Sequence, residues 1–186
     1  MKKGAALGLE LASDPAPAAV VMGAAREGLL DPAAELLAIA VAVEAIAFES
    51  PSAAIAFALH SGTALAVAGD ARFASLFRGE TVAAVSLSSD DMPVEQGGTL
   101  SGRAPWVAPI TDHGIAVVGP RLRQGSGGQA ERGAYAVALD MPGVAIETVH
   151  TAALAGVVCG QVTFANVRSE EHTSELQSRL HLVCRL

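Results

Sequence analysis

Trp106 is the only tryptophan of a chain with 4% aromatic content, and it follows a glycine-containing turn. On residue physics alone it reads as the largest filler of a small β core, since one big ring commonly anchors a sheet; a ring facing a bound ligand is the other reading. His60, His113 and His150 lie far apart, and none has a second histidine at helical metal-ligand spacing. His60 falls on an apolar helical stretch and reads as a core histidine with a satisfied ring. Asp90, Asp91 and Glu95 crowd one loop whose oxygens suit a hard cation, yet the regular ligand spacing of a calcium loop is missing, so a solvated loop is expected. The run Gly125-Ser126-Gly127-Gly128 lacks the strand-to-helix context of a phosphate cradle and reads as a linker. No GxxxxGK[ST], GxSxG or HExxH occurs, which leaves a P-loop, a hydrolase elbow and a zincin site unsupported. Cys159 and Cys184 show neither CxxC spacing nor a histidine partner, so neither a disulfide framework nor a zinc site is indicated, and no metal ligand is assigned.

The elements that must position these residues change character along the chain. Residues 1–13 carry no strong pattern. Asp14-Pro15, Asp31-Pro32 and Ser50-Pro51 each place a capping residue before a proline, predicting helices to about Leu29, to Glu49 and to Gly69. The second of these is apolar nearly all round and is expected to be packed on most sides. Asp70 is placed to cap a short helix over Ala71–Phe77, closed by Arg78-Gly79. Strand grammar then takes over, putting the domain boundary near Arg78–Glu80. Strands are predicted at Thr81–Leu87, Thr99–Ser101, Gly114–Val118, Ala134–Leu139, Val144–Thr148 and Gly160–Ala165. The segments between them are polar: Ser88–Gly98 and Pro120–Gly133 read as loops, the short strand after Thr99 stops at Gly102, and Asp140–Gly143 is a turn with Pro and Gly where a type II turn favours them.

Composition bounds the function classes. A hydrophobic fraction of 51%, mostly Ala, Val and Leu, calls for close helix packing because each small side chain buries little area. A formal charge of −7 gives no electrostatic footprint for nucleic acid. Mean hydropathy is +0.42, but Glu44 interrupts one apolar run and His60–Thr63 another, so neither gives the ~18 clean apolar residues of a membrane span. Lys2 and Lys3 precede a stretch that is short and contains Glu10, which does not make a signal peptide, and a cytoplasmic setting is expected.

Against this background, four stretches resemble the acyl-CoA dehydrogenase family. ESPSAAIAFALHSGTALAVAGDARFASLFRGETVAAVSLS is similar to the late part of that family's helical N-terminal domain and its first β strand. LSGRAPWVAPITDHGIAVV resembles its L-N-G-x-K-x-W-I-T segment, and residues 134–149 and 160–167 resemble its later F-V-V…P-G-V and V-x-F-x-x-V strands. The likeness covers roughly Pro15 to Arg168. It implies an α+β fold: an N-terminal α-helical bundle in residues 1–79, a mainly antiparallel β-barrel or sandwich domain in residues 80–168, and a C-terminal helical domain that is missing here.

The same resemblance implies an FAD site. Trp106 matches the tryptophan beside the flavin ring, and Ala108 matches a position where the family usually has Thr or Ser bonding the flavin. Ser88 lies where the family's L-T-E-P threonine falls, and Val85, Ser86 and Leu87 sit on the strand whose backbone lines flavin and acyl thioester. Further implications are an acyl-CoA substrate, an electron-transfer flavoprotein as partner, and a homo- or hetero-oligomer. The catalytic base of the family is a glutamate in the C-terminal helical domain, so no catalytic residue is assigned within this chain, and it is expected to be inactive as it stands. The family's T-E-P-x-A-G-S-D loop appears here as SSDDMPVEQ without its glycine, and N-G-x-K as Ser101-Gly102-Arg103-Ala104, which marks a divergent member. A monooxygenase of the same fold and a non-catalytic partner subunit are the competing readings.

From Ser169 the composition breaks abruptly. SEEHTSELQS resembles the translation of a synthetic sequencing-adapter oligonucleotide, so residues 169–186 read as a non-native tail. The tail holds three Glu and two Arg, which leaves −6 for the rest. Its His172, His181 and Cys184 are excluded from any site.

Overall fold

A computed structural model describes residues 17–31, 36–68, 71–86, 92–119, 121–122, 134–149, 156–168 and 170–172. Among these residues three helices come first, α1 (Pro17–Arg26), α2 (Leu36–Glu49) and α3 (Pro51–Ala66). A 3-10 turn at Ala71–Phe73 then leads into one turn of helix, α4 (Ala74–Phe77). The predicted start of α3 holds: Ser50 is extended, its hydroxyl accepts from the Ala53 N–H at 3.2 Å, and Pro51 opens the first turn. Asp14, Pro15, Pro32 and Asp70 lie outside the described residues. Both α1 and α3 end about three residues earlier than the sequence predicts.

Val20, Val21 and Ala24 of α1, Ile39, Ala42 and Ile46 of α2, and Ala53, Ala54 and Phe57 of α3 form one apolar core. The expectation that α2 is packed on most sides is corrected. Only Ile39, Ala42, Ala45 and Ile46 are buried, while Leu37 is 70% and Phe48 68% exposed. Its apolar circumference is wider than the one stripe that α1 and α3 cover.

Among the described residues nine strands follow: β1 (Ala83–Ser86), β2 (Val94–Gln96), β3 (Thr99–Ala108), β4 (Ile115–Val118), β5 (Arg121–Leu122), β6 (Ala134–Ala138), β7 (Val144–Val149), β8 (Cys159–Arg168) and β9 (Glu170–His172). They make one curled mixed sheet, a half-barrel, in the order β5-β2-β3-β1-β4-β6-β9, with β8 also paired to β3 and to β7. Pairing is antiparallel except for β1 with β4 and β2 with β5. Mainly antiparallel β structure after a helical segment is therefore what the chain forms. The sheet's concave core holds Leu100, Val107, Tyr135, Val137, Val162 and Phe164.

Several boundaries differ from the sequence-based ones. β3 does not stop at Gly102; it runs through Gly102 and Trp106 to Ala108, and register shifts against β8 absorb the irregularity. Gly102 permits this because its φ is 114° and a Cβ there would lie 3.2 Å from Pro93 Cα. The strands β2 and β5 arise in segments read as loops, where two or three residues pair at an edge without any alternation to reveal them. The turn over Met141–Val144 is type II as expected, with Gly143 at φ 91° and the Val144 N–H donating to Met141 O at 3.1 Å. β8 extends to Arg168, and β9, within the segment read as a tail, pairs with β6.

The helices meet the sheet through two small clusters. Ala64, Val67, Phe73 and Leu76 pack on Ala83 and Val117, and Ala56 packs on Ala108, Val157 and Cys159. No helix among the described residues is long and apolar enough to cross a membrane.

Candidate functional site

β1 lies between β3 and β4, and its register sets Val85 opposite Ala108 and Ser86 opposite Val107. Four of the six expected site residues, Val85, Ser86, Trp106 and Ala108, thus come together on two adjacent strands. Leu87 and Ser88 lie outside the described residues.

Trp106 is held outward by a bulge. Between Ala104 and Val107 β3 advances three residues while β8 advances two, from Val162 to Gly160. Ala104 and Val107 both face the core and are fully buried, so the extra length is taken up at Pro105 and Trp106. Trp106 adopts φ 55°, a left-handed conformation that a bulky residue rarely takes and that costs on the order of 1–3 kcal/mol. The residue is 49% exposed. The reading of Trp106 as the core's largest filler is therefore corrected; Phe164 and Tyr135 fill that role.

Ser86 is tied into the same bulge. Its hydroxyl donates to the Pro105 carbonyl at 3.0 Å and stands 3.7 Å from Met92 Sδ. Ala108 points elsewhere: it is fully buried, and its methyl packs against Ala56, Val157 and Cys159. Strand alternation puts Arg103, Gln161, Thr163 and Glu147 on the outward face shared with Trp106. Nothing in the sequence marks Gln161 or Glu147 as belonging there, because their place follows only from the β3–β8–β7 register.

The remaining candidates have local roles or lie outside the described residues. The Gly98 N–H donates to Glu95 Oε1 at 2.8 Å, which uses the Glu95 carboxylate to close the β2–β3 turn. Asp90, Asp91, His150 and Gly125–Gly128 fall outside the described set. His113 Nδ1 lies 3.3 Å from Asp140 Oδ2 in an exposed pair beside β4. Cys159 is buried, and burial pushes its thiol pKa up. Among the described residues no group of three His, Cys, Asp or Glu could hold a metal ion.

His60 is fully buried, and both ring nitrogens have partners. The Ala83 N–H lies 2.9 Å from Nδ1 and the Leu76 carbonyl 3.1 Å from Nε2. An N–H can only donate and a carbonyl only accept, so the ring is neutral with its proton on Nε2. Burial lowers its pKa from 6.5 to about 4, against a smaller opposing effect of the Leu76 carbonyl. This is the satisfied core histidine that the sequence predicts.

An exposed indole beside an apolar strand pair is a surface against which a planar aromatic ring can lie. The residues present fit a flavin at Trp106. They do not supply a side-chain hydrogen bond at position 108, where there is neither a donor nor exposure, and the Ser86 hydroxyl already donates to Pro105.

No protein-family model and no curated protein matches the sequence. Solved structures do match the fold. A glutaryl-CoA dehydrogenase from Mycobacterium smegmatis in complex with FADH2 aligns with a TM-score of 0.69 at 14% identity, over 94% of this chain and 53% of its own. An acyl-CoA dehydrogenase from Geobacillus kaustophilus aligns with a TM-score of 0.69 at 15% identity, over 92% of this chain and 54% of its own. A dibenzothiophene monooxygenase from Paenibacillus aligns with a TM-score of 0.63 at 16% identity, over 78% of this chain and 42% of its own. The chain thus spans about half the length of the structures it resembles. At these identities the likeness is one of fold, and the fold is that of the acyl-CoA dehydrogenases.

Proposed function

We propose that this chain is the helical and β portion of a divergent FAD-dependent acyl-CoA dehydrogenase, which desaturates an acyl-CoA thioester between its α and β carbons. The observation that carries the reading is Trp106, turned outward by a strained bulge beside β1. When bound, FAD supplies the hydride acceptor for the desaturation. The chain's own part is to offer the Trp106 indole as one wall of the ring pocket, with the Val85–Ser86 backbone as its edge. The Ser86–Pro105 hydrogen bond fixes that wall.

On this reading the base is the glutamate that the resembled family carries in its C-terminal helical domain, and the chain as given is expected to be inactive. Oligomerisation, an electron-transfer flavoprotein as electron acceptor and a cytoplasmic setting go with the same reading. Titration of FAD into the chain, and into a version extended through its natural reading frame, tests it. Binding by the extended protein that weakens on Trp106→Ala supports the reading; no binding by the extended protein refutes it.

The fold's likeness to a monooxygenase supports a second reading, a flavin-dependent oxygenase. Oxygen consumption with reduced flavin, without flavin reduction by acyl-CoA, would distinguish it. Ala108, lacking the usual hydroxyl, fits a non-catalytic partner subunit as well, and failure of the extended protein to bind flavin would favour that role.

A further inference from the structure

We propose that His60 is a proton-sensitive latch: while neutral it ties β1 to α3 and α4, and when its bare nitrogen takes a proton the tie to β1 is lost. The inference does not rest on the flavin reading.

The geometry is that of a three-way junction. His60 belongs to α3, its Nε2–H donates to Leu76 O of α4 at 3.1 Å, and its Nδ1 accepts the N–H of Ala83, the first residue of β1, at 2.9 Å. A protonated Nδ1 becomes a donor facing a donor, so the Ala83 bond cannot survive with the ring in place. Among the described residues nothing nearby compensates a charge, Asp70 lying outside them. The apolar cluster at this junction comprises Ala64, Val67, Phe73, Leu76, Ala83 and Val117. α3, β1 and β4 carry no charged residue. On the segment folded over the ring, Arg78 and Glu80 are exposed and paired with each other at 2.7 Å, and the Arg72 side chain is outside the described set. Arg26 of α1 and Glu44 and Glu49 of α2 are exposed. Burial, not a neighbouring charge, is what disfavours the protonated ring.

The latch has a line to the outward face. β1 is only four residues long; His60 holds its first residue, and its last, Ser86, donates to Pro105, the neighbour of Trp106. β1 stays paired with β3 and β4, but release of Ala83 removes an anchor of the strand that braces the bulge, and the single tryptophan reports it.

Long-range 1H–15N NMR of the 186-residue chain at neutral pH is the first test. It is expected to show His60 with a bare Nδ1 and a protonated Nε2, titrating well below 6.5. Trp106 fluorescence and the thermal midpoint are then followed as pH falls, beside His60→Asn, whose Oδ1 stands near the place of Nδ1 and cannot be protonated. The wild type is expected to lose midpoint and shift its emission between pH 6.5 and about 4 by more than the variant, the common fall being due to carboxylates. An Nδ1–H tautomer, a titration at the ordinary 6.5, or equal acid sensitivity of the two proteins would overturn the proposal. Should the variant not fold, the tautomer and titration of the wild type decide.

Discussion

The Ser86 hydroxyl and the Pro105 carbonyl, 3.0 Å apart on adjacent strands, join β1 to the residue that launches the Trp106 bulge. Through that bond an exposed ring at an unfavourable backbone angle is anchored from behind, a sign that its outward position is maintained and is not a packing failure.

Trp106→Ala is expected to weaken FAD binding by the flavin-competent protein about tenfold, the scale of an aromatic stacking contact. Trp106→Gly should lose flavin equally yet unfold at higher denaturant than Trp106→Ala, by roughly 1 kcal/mol, because glycine accepts a positive φ without strain. Flavin fluorescence titration and urea unfolding read the two effects separately. Equal stability of the two variants would refute the strain argument.

Ala108→Thr restores the residue type usual in the resembled family but adds atoms to a filled cluster around Ala56, Val157 and Cys159. A loss of about 1–3 kcal/mol is expected from overpacking, without a gain in FAD affinity. Urea unfolding and flavin titration on the same samples check both; tighter flavin binding would show that the position opens to the cofactor after all.

Acid should destabilise the chain through His60. The folded-state pKa, about 4, lies below the unfolded 6.5, so between these values the unfolded state binds more protons. The stabilisation is complete above pH 6.5 and is lost as pH falls through about 4, on the order of 3 kcal/mol in all. Urea midpoints across this window, wild type against His60→Asn, measure it.

Two glycines should respond oppositely to alanine. At Gly160 a Cβ would lie 2.6 Å from Glu147 O and 2.8 Å from Ile110 Cδ1, so Gly160→Ala is expected to cost about 3 kcal/mol by forcing β7 and β8 apart. At Gly62, within α3, a Cβ meets nothing within 4 Å, and Gly62→Ala should stabilise by up to about 1 kcal/mol. Thermal unfolding gives both signs.

The outer face of α2 predicts self-association of the isolated chain. Leu37→Glu with Phe48→Glu should raise the concentration at which light scattering appears. Since both side chains are exposed, stability should stay within about 0.5 kcal/mol.

Much of the fold is legible because local grammar and tertiary structure agree. Ser50 caps, Pro51 starts and the Pro142-Gly143 turn closes as written. What misleads is the bulged strand. A glycine at 102 looks like a stop, yet its positive φ lets β3 continue, and the second bulge breaks the two-residue period that would have told inward from outward at Trp106 and Ala108. The residues that the resemblance names, Val85, Ser86, Trp106 and Ala108, meet across one strand pair. Side-chain direction there depends on the β3–β8 register, which no local window contains.

That register also dictates when the protein can fold. Ser101 and Asn166, bonded side chain to side chain, are 65 positions apart. On a ribosome, one edge of the ten-residue β3 stays bare until β8 has emerged, leaving a row of unpaired amides and carbonyls available to any passing strand. Such distant pairing makes for slow folding. Deleting β8 would turn its core strand β3 into an aggregation template during synthesis.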